Sequence, residues 1–308
     1  MISIVSPVYG CTACLEILCR KVHDAFEGQG IDWELLLVDD RGPDDPWPLI
    51  TKLAVLDKRI RGVRLSRNHG QHLAIWAGLA ESTGDWVAVI DCDLQDDPMV
   101  IPELYRAALE RQVEAVIVDR GAWSDSWFRR TASQTFYKTM TLLGGISIQN
   151  AGNFGLYSRR MVDMLLQYEE QEVFLPMMVA LTGLKRDRFK LDRSERAAGG
   201  SSYSFKRLLS LASAIIVRFS DRPLKLSIVV GFAFSILSAV FSLLLVMLWI
   251  FDIVAVPGWT STVLSVWFLS GLIMATLGVH GFYIGRIFTE VKKRPRIVVE
   301  TTTSERSR

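Results

Sequence analysis

In the N-terminal part of the chain, short apolar runs alternate with longer segments in which apolar residues recur every three or four positions. The short runs are typical of buried strands and the longer segments of helices. The predicted strands are 2–6, 33–38, 63–65, 86–91, 115–118 and 188–193. The predicted helices are 13–26, 47–56, 73–81 and 102–111. Strands that alternate with helices in this way predict an α/β domain with a mostly parallel sheet.

The C-terminal part contains two long apolar segments. No Asp, Glu, Lys or Arg lies within 226–251 or 253–285, and each segment exceeds the roughly 20 residues that a helix needs to cross a bilayer. The link between them has no Lys or Arg, whereas basic residues lie on the outer side of both segments. Because basic flanks stay in the cytoplasm, the pattern predicts a multi-pass protein of the inner (cytoplasmic) membrane with both termini in the cytoplasm.

Between these two parts, residues 205–219 carry an apolar stripe at helical spacing with Lys206, Arg207 and Arg218 beside it. This pattern favours an amphipathic helix at the level of the lipid headgroups over a helix packed in a core. The predicted segments are a cytosolic domain, 1–203, a juxtamembrane amphipathic helix, 204–223, two transmembrane helices, 224–285, and a cytosolic tail, 286–308. The polar end of that tail, 301–308, is expected to be disordered.

The charge and cysteine content do not change the predicted fold or membrane arrangement. The formal net charge is +2, and the four cysteines are Cys11, Cys14, Cys19 and Cys92. Cys11 and Cys14 form a CxxC pair, but no second pair or His cluster follows, which argues against a zinc site. Because the domain is expected in a reducing cytosol, we predict four free thiols.

A dense polar stretch directly follows the predicted strand 86–91. Its oxygen-bearing side chains are Asp91, Asp93, Gln95, Asp96 and Asp97. Carboxylates this close together repel one another unless a cation neutralises them, and Mg²⁺ and Mn²⁺ prefer such oxygen ligands. A polar loop that caps the following helix is the alternative, and Asp97 suits that role. The stretch predicts a site for Mg²⁺ or Mn²⁺ at Asp91, Asp93 and Gln95.

Polar residues also follow the other predicted strands. They include Tyr9, Asp39, Asp40, Asn68, Asp91 and Asp93. In open α/β sheets, ligands bind beyond the carboxyl ends of the strands. The convergence of these side chains therefore predicts one ligand site along that edge of the sheet.

Several motifs together carry a resemblance to a known family. They are Ser6-Pro-Val-Tyr9, Val38-Asp-Asp40, Leu65-Ser-Arg-Asn68, Asp91-Cys-Asp-Leu-Gln-Asp96, Ser126-Trp127, Arg193-x-x-Arg196, Gly199-x-Ser201-x-Tyr203, Gly285-Arg-Ile and Glu290-Val-Lys-Lys-Arg-Pro295. Across almost its whole length the chain resembles the family 2 glycosyltransferases that act on polyprenyl phosphates, such as dolichyl-phosphate mannose synthase. The resemblance implies a GT-A fold, a nucleotide-sugar donor, a lipid-phosphate acceptor and inversion at the anomeric carbon.

The resemblance and the pattern of polar residues together assign roles to individual positions. The predicted nucleotide-binding residues are Pro7, Tyr9, Asp39, Asp40, Asn68, Asp91 and Cys92. The predicted catalytic residues are Asp91, Asp93 and Arg196, and the predicted metal ligands are Asp93 and Gln95 with Asp91. The predicted acceptor-phosphate residues are Arg120, Arg193, Arg196, Ser201 and Tyr203, and Asn153 is predicted in the sugar and acceptor loop.

The chain departs from the family at three places. Gly10-Cys11 stands where Asn-Glu is common, Asn153 stands where an acid is common, and Ser202 stands where a Lys commonly precedes Tyr203. The departures at Gly10-Cys11 and Asn153 leave open a catalytically inactive membrane scaffold that still binds a nucleotide sugar. A processive polysaccharide synthase is disfavoured because the Gln-x-x-Arg-Trp signature is absent. The expected partners are a UDP- or GDP-type sugar, a polyprenyl phosphate, the membrane and further copies of the chain, and no nucleic acid.

Overall fold

The computed structural model describes residues 1–119, 152–171, 173–191, 222–251 and 258–303. The chain divides into two compact units. The first unit comprises Met1–Ser133, Ile148–Gly199 and Arg294–Arg308, and the second comprises Gln134–Ser147 and Gly200–Lys293.

An eight-stranded sheet forms the centre of the first unit within the described ranges. Its strands are β1 (Ile2–Val8), β2 (Trp33–Asp39), β3 (Ile60–Leu65), β4 (Trp86–Val89), β5 (Ala115–Asp119), β6 (Gly155–Ser158), β7 (Arg186–Lys190) and β8 (Val299–Thr302). The order across the sheet is β7-β5-β6-β4-β1-β2-β3-β8. β6 and β8 run antiparallel to their neighbours, and the remaining pairings are parallel. The predicted mostly parallel α/β sheet is therefore confirmed.

Helices follow most of the strands. In the described residues they are α1 (Leu15–Phe26), α2 (Trp47–Leu56), α3 (Gln71–Glu81), α4 (Ile101–Arg111), α5 (Arg159–Gln167), α6 (Leu175–Leu181), α7 (Arg222–Ile250) and α8 (Trp259–Val291). Short 3₁₀ turns at Thr12–Cys14 and Pro98–Val100 lead into α1 and α4.

The two central strands explain why the sheet is covered on both faces. Every residue of β1 and β2 is buried, as expected for parallel strands between two helical layers. Side chains alternate between the faces of a strand, so Ile4 and Leu35 pack in one core cluster while Val5 and Leu36 pack in the other. Both faces of the sheet are therefore covered by helices.

The C-terminal segment corrects one sequence prediction. Residues 301–308 were expected to be disordered, yet Thr301 and Thr302 belong to β8, which pairs with β3. Ser66 N donates to Val298 O at 2.9 Å, and Thr303 N donates to Gly62 O at 3.0 Å. The physical reason is that β3 would otherwise be an open sheet edge with unpaired backbone groups. Residues 304–308 lie outside the described ranges.

The second unit contains the two long helices. α7 has 29 residues and α8 has 33, which corresponds to lengths of about 44 and 50 Å. Apolar side chains such as Phe232 and Trp267 are exposed on them. Within the described ranges, one helix is long and apolar enough to cross a membrane, over Ser265–Val291 with mean hydropathy 1.5. The second predicted span, the four-segment division and the topology stay predictions.

Candidate active site at the carboxyl edge of the sheet

The predicted ligand site lies at the switch point of the sheet, where the connections between successive strands change direction. The chain continues from β1 to β2 and β3 on one side, whereas β4 pairs with the other side of β1. The loops after β1 and β4 therefore diverge at the carboxyl ends of two neighbouring strands. Such a switch point leaves a crevice that binds ligands in open α/β sheets.

The loop after β1 forms one wall of this crevice. Tyr9 is 54% exposed, and Gly10 has φ 68°, a conformation that glycine adopts without strain. Asp44 stabilises this loop, because its carboxylate accepts hydrogen bonds from Gly10 N at 3.2 Å and Thr12 N at 2.8 Å. Tyr9 thus faces solvent on a fixed backbone, and its predicted role in nucleotide binding stays a prediction.

Two buried carboxylates lie at the end of β2, where Asp39 is the last residue of the strand and Asp40 follows it. Oδ1 of Asp39 accepts from Arg41 N at 2.9 Å, and Oδ2 of Asp39 lies 3.2 Å from Nε of Arg64 without hydrogen-bond alignment. Asp40 accepts from the backbone N–H groups of His69 at 2.7 Å and Gly70 at 2.9 Å. Burial raises the pKa of both carboxyls above the ordinary value, and the hydrogen bonds from the backbone oppose that shift. Asp40 therefore fixes the loop that leads into α3.

That loop carries a side chain toward the end of β4. Gly70, with φ 90°, precedes α3, and Gln71 is the first residue of the helix. Nε2 of Gln71 donates to Oδ1 of Asp91 at 2.6 Å. Asp40 and Asp91, which follow two different strands, are thereby connected through the start of one helix. Asn68 lies in the same loop and is exposed.

The loop after β4 presents the predicted metal ligands to solvent. Asp93 and Gln95 are exposed, Leu94 between them has φ 61°, and Oδ1 of Asp93 accepts from Gln95 N at 3.1 Å. Asp97 caps the next turn by accepting from Met99 N at 3.4 Å, as predicted.

The donor chemistry of this loop fits a divalent cation. Among the described residues, no group of three or more His, Cys, Asp and Glu side chains is placed to hold a metal ion. The loop offers instead the carboxylate and amide oxygens of Asp93 and Gln95. Oxygen donors of this kind suit Mg²⁺ and Mn²⁺, which take water and substrate phosphates as further ligands, and the metal role of Asp93 and Gln95 stays a prediction.

The cysteines correct a second sequence prediction. Cys11 and Cys92 form a disulfide, whereas Cys14 and Cys19 are free. The two bonded residues are 81 positions apart in sequence, with Cα atoms 6.4 Å apart. They meet because β1 and β4 are paired in parallel and end next to each other at the same edge of the sheet. Cys92 is thus a partner of Cys11, and its predicted contact with the nucleotide stays a prediction.

The remaining predicted site residues lie beside the end of β4 or outside the described ranges, because Gly155, the first residue of the antiparallel β6, pairs with Val89 of β4. Asn153 is partly buried directly before β6, where Phe154 O accepts from Val118 N at 3.0 Å. The predicted acceptor residues Arg120, Arg193, Arg196, Ser201 and Tyr203 lie outside the described residues, as do Ser126-Trp127 and the predicted amphipathic helix 205–219.

Residues 3–166 match the model of the family described as Glycosyl transferase family 2. The chain belongs to glycosyl transferase family 2. It is 36% identical over 287 residues to the uncharacterized glycosyltransferase YkoT of Bacillus subtilis (strain 168), an alignment that covers 92% of this chain and 85% of that protein.

Two further similarities concern named proteins. This family 2 chain is 33% identical over 306 residues to the undecaprenyl-phosphate 4-deoxy-4-formamido-L-arabinose transferase of Aeromonas hydrophila, covering 97% of this chain and 93% of that protein. A solved structure of glucosyl-3-phosphoglycerate synthase from Mycobacterium tuberculosis with Mn²⁺, UDP and glucosyl-3-phosphoglycerate is 17% identical, covers 70% of this chain and 77% of that one, and has a TM-score of 0.44. The resemblance that the motifs predicted is confirmed at the level of the family.

Sequence reasoning missed three residues that shape the site of this family 2 chain. Gln71 contacts Asp91, Asp44 holds the loop after β1, and Arg64 faces Asp39. No local pattern marks them, because each acts on a residue at least 20 positions away in sequence. A buried carboxylate such as Asp39 does signal that a basic partner is needed, and Arg64 could have been sought on that ground.

Proposed function

We propose that the protein transfers a sugar from a nucleotide-sugar donor to a polyprenyl phosphate in the membrane, with inversion at the anomeric carbon. The observation that carries this proposal is the edge of the sheet at which the parallel strands β1, β2 and β4 end. Carboxylates and amides from three different strand ends converge on it, in a chain that also has long helices with exposed apolar side chains. The undecaprenyl-phosphate transferases among the relatives support the same acceptor class.

The nucleotide is proposed to bind across the ends of β1, β2 and β4. Pro7 and Tyr9 lie at the end of β1, Asp39 and Asp40 lie at the end of β2, and Asp91 follows β4. Asp39 and Asp40 are buried and accept hydrogen bonds from the backbone. They are therefore proposed to hold the loops around the nucleotide as well as to contact it. A UDP- or GDP-type base is the proposed class.

Asp93 and Gln95, with Asp91 nearby, are proposed to hold Mg²⁺ or Mn²⁺. When bound, a divalent cation neutralises the charge that develops on the departing nucleoside diphosphate. The chain's own contribution is to present the two exposed oxygen donors on a loop whose turn is held by the contact from Gln95 N to Asp93. The hydrogen bond from Gln71 orients Asp91 beside them.

The acceptor phosphate is proposed to bind at Arg120, Arg193, Arg196, Ser201 and Tyr203. Its second pKa is about 6, so the attacking oxygen is already largely ionised at neutral pH and needs alignment more than a general base. A partly buried amide at Asn153, where the family commonly has an acid, is compatible with such a reaction. Arginine suits this task because its guanidinium binds phosphate in a bidentate manner.

The membrane arrangement completes the proposal. α7 and α8 are proposed to be two transmembrane helices, with the catalytic unit and both termini in the cytoplasm of a bacterial-type inner membrane. The proposed division is a catalytic domain, 1–203, an amphipathic helix, 204–223, the spans, 224–285, and a tail, 286–308. Association of several copies through the spans is part of the same proposal.

Transfer of label from a nucleotide sugar into lipid tests this function. Purified full-length protein in detergent would receive UDP- and GDP-sugars one at a time, with undecaprenyl phosphate and Mg²⁺ or Mn²⁺. We expect a singly glycosylated lipid that depends on both substrates, and Asp93→Ala is the inactive control. Nucleotide binding without any product from any donor would favour the inactive scaffold instead, and a polymeric product would favour a synthase.

A further inference from the structure

The disulfide between Cys11 and Cys92 crosses the crevice in which the nucleotide is proposed to bind. Cys11 lies two positions after Tyr9, and Cys92 lies between Asp91 and Asp93. Each sulfur therefore comes from one wall of the switch point. No other described pair of residues forms a covalent bond between two elements of the chain.

The bond limits how far the two walls can separate. A disulfide holds its Cα atoms within about 4.4–6.8 Å of each other, and here they are 6.4 Å apart. The bonded side chains fill the space between these two Cα atoms, so a ligand cannot pass between them. In the dithiol form, the two side chains rotate independently, and the loop after β4 is no longer tied to the loop after β1.

The surroundings of the two residues favour a reversible bond. Cys11 is partly exposed and Cys92 is 6% exposed, so a reagent reaches the pair from the Cys11 side. The loop that carries Cys11 is held by Asp44 whether or not the bond is present. The fold on either side does not need the bond, since β1 and β4 are joined by a backbone ladder.

We propose that Cys11 and Cys92 form a reversible thiol–disulfide site that controls access of the nucleotide to this crevice. The inference rests on the proposed function for the identity of the ligand. In oxidation, the two thiols lose two electrons and two protons to a small-molecule disulfide, which leaves as two thiols while the bond between the sulfur atoms forms. A dithiol reductant reverses the reaction. The reduced form binds the nucleotide, and the oxidised form excludes it.

The two other cysteines of the chain serve as internal comparisons. Cys14 is free and partly exposed three positions after Cys11, a CxxC spacing that can itself form a redox pair. Cys19 is buried in the core, and burial raises its pKa to about 12, which makes it a poor nucleophile. A redox response through Cys11 thus has two possible partners, and the structure assigns Cys92.

The test measures binding of UDP and of GDP, each with Mg²⁺, by calorimetry on the full-length protein in detergent. Protein is equilibrated with glutathione disulfide or with dithiothreitol, and the bonded pair is mapped by mass spectrometry after alkylation of the free thiols. We expect about a tenfold or larger weakening of nucleotide binding on oxidation, equivalent to about 1.4 kcal/mol, and recovery on reduction. Cys11→Ser should bind equally in both conditions, and Cys14→Ser should respond like the parent protein.

Two results would overturn the inference. One is a Cys11–Cys92 bond that forms without any change in nucleotide binding. The other is a redox response that Cys14→Ser abolishes, since the functional pair would then be Cys11 and Cys14. Failure of the proposed function is measured separately, because the reduced protein would then transfer no sugar from any donor to undecaprenyl phosphate, even where UDP or GDP binds and responds to oxidation.

Discussion

Nε2 of Gln71 donates a hydrogen bond to Oδ1 of Asp91 at 2.6 Å. The contact links the first residue of α3 to the loop after β4, and the backbone before Gln71 is itself held by Asp40. One carboxylate oxygen of Asp91 is thus committed to the protein, which orients the other. A hydrogen bond to a charged group contributes about 1.5–3 kcal/mol, enough to influence substrate binding.

The first prediction follows from this contact. Gln71→Leu keeps the size of the side chain but removes the donor, so Asp91 should lose its orientation. We expect kcat/KM for the nucleotide sugar to fall roughly tenfold to a hundredfold, with little change in the melting temperature. Gln29→Leu, at an exposed position after α1, is the matched control. Equal activity of Gln71→Leu and the parent protein would contradict the positioning role.

The second prediction concerns the proposed metal ligands. Asp93→Asn removes a charge from the exposed pair Asp93 and Gln95 but keeps an oxygen donor, whereas Asp93→Ala removes both. We expect the Mn²⁺ concentration for half-maximal activity to rise in the Asn variant, and activity to disappear in the Ala variant and in excess EDTA. Asp24→Ala, an exposed carboxylate on α1, should behave like the parent protein. Full activity in EDTA would rule out the metal.

The third prediction concerns the stability that Glu34 provides near the amino end of β2. Glu34 is buried and accepts hydrogen bonds from Ser3 Oγ at 2.6 Å and Thr83 N at 2.8 Å, and it pairs with Arg61 at 2.8 Å. Burial alone would raise the pKa of Glu34, but the bonds from Ser3, Arg61 and Thr83 lower it below its ordinary value. Removing one partner of a buried ion pair is costly.

We therefore expect Glu34→Gln to lower the free energy of unfolding by about 3 kcal/mol. Because the folded-state pKa is lowered, this stabilisation is present above the unfolded value of about 4.3 and is lost as the pH falls below it. Asp187→Asn, which breaks the exposed pair of Arg111 and Asp187, should cost about 0–1 kcal/mol. Urea denaturation followed by tryptophan fluorescence measures both, and similar losses in the two variants would refute the contrast.

The fourth prediction concerns the pH dependence that His72 confers. Its ring packs edge-on against Phe174, with centroids 4.8 Å apart, and burial lowers the pKa of His72 to about 4. Between about pH 6.5 and pH 4 the unfolded chain binds a proton at this position and the folded protein does not. Stability should therefore fall as the pH is lowered through that range.

His72→Leu removes this source of pH dependence. We expect its free energy of unfolding to change less between pH 7 and about pH 4.5 than that of the parent protein. The same urea series at several pH values provides the measurement. Parallel pH profiles for the two proteins would mean that His72 is protonated as readily in the folded state as in the unfolded state.

The sequence by itself determined the parts of the fold that depend on local pattern. β1 and β2 consist mostly of apolar residues, which is typical of a strand that is buried on both faces of a parallel sheet. The same locality made Asp97 recognisable as a cap and Asp93 with Gln95 recognisable as oxygen donors on one turn. The family was also readable, because its motifs follow individual strands.

The tertiary structure decided what depends on pairing between distant residues. β8 forms because β3 offers unpaired backbone groups, and its own sequence, Val299–Thr302, is too short and polar to predict a strand. Cys11 meets Cys92, and Gln71 meets Asp91, only because β1, β3 and β4 end at the same edge of the sheet. A residue's spacing along the chain determines which face of an element it occupies, whereas the order of strands in the sheet determines which residues of other elements it meets.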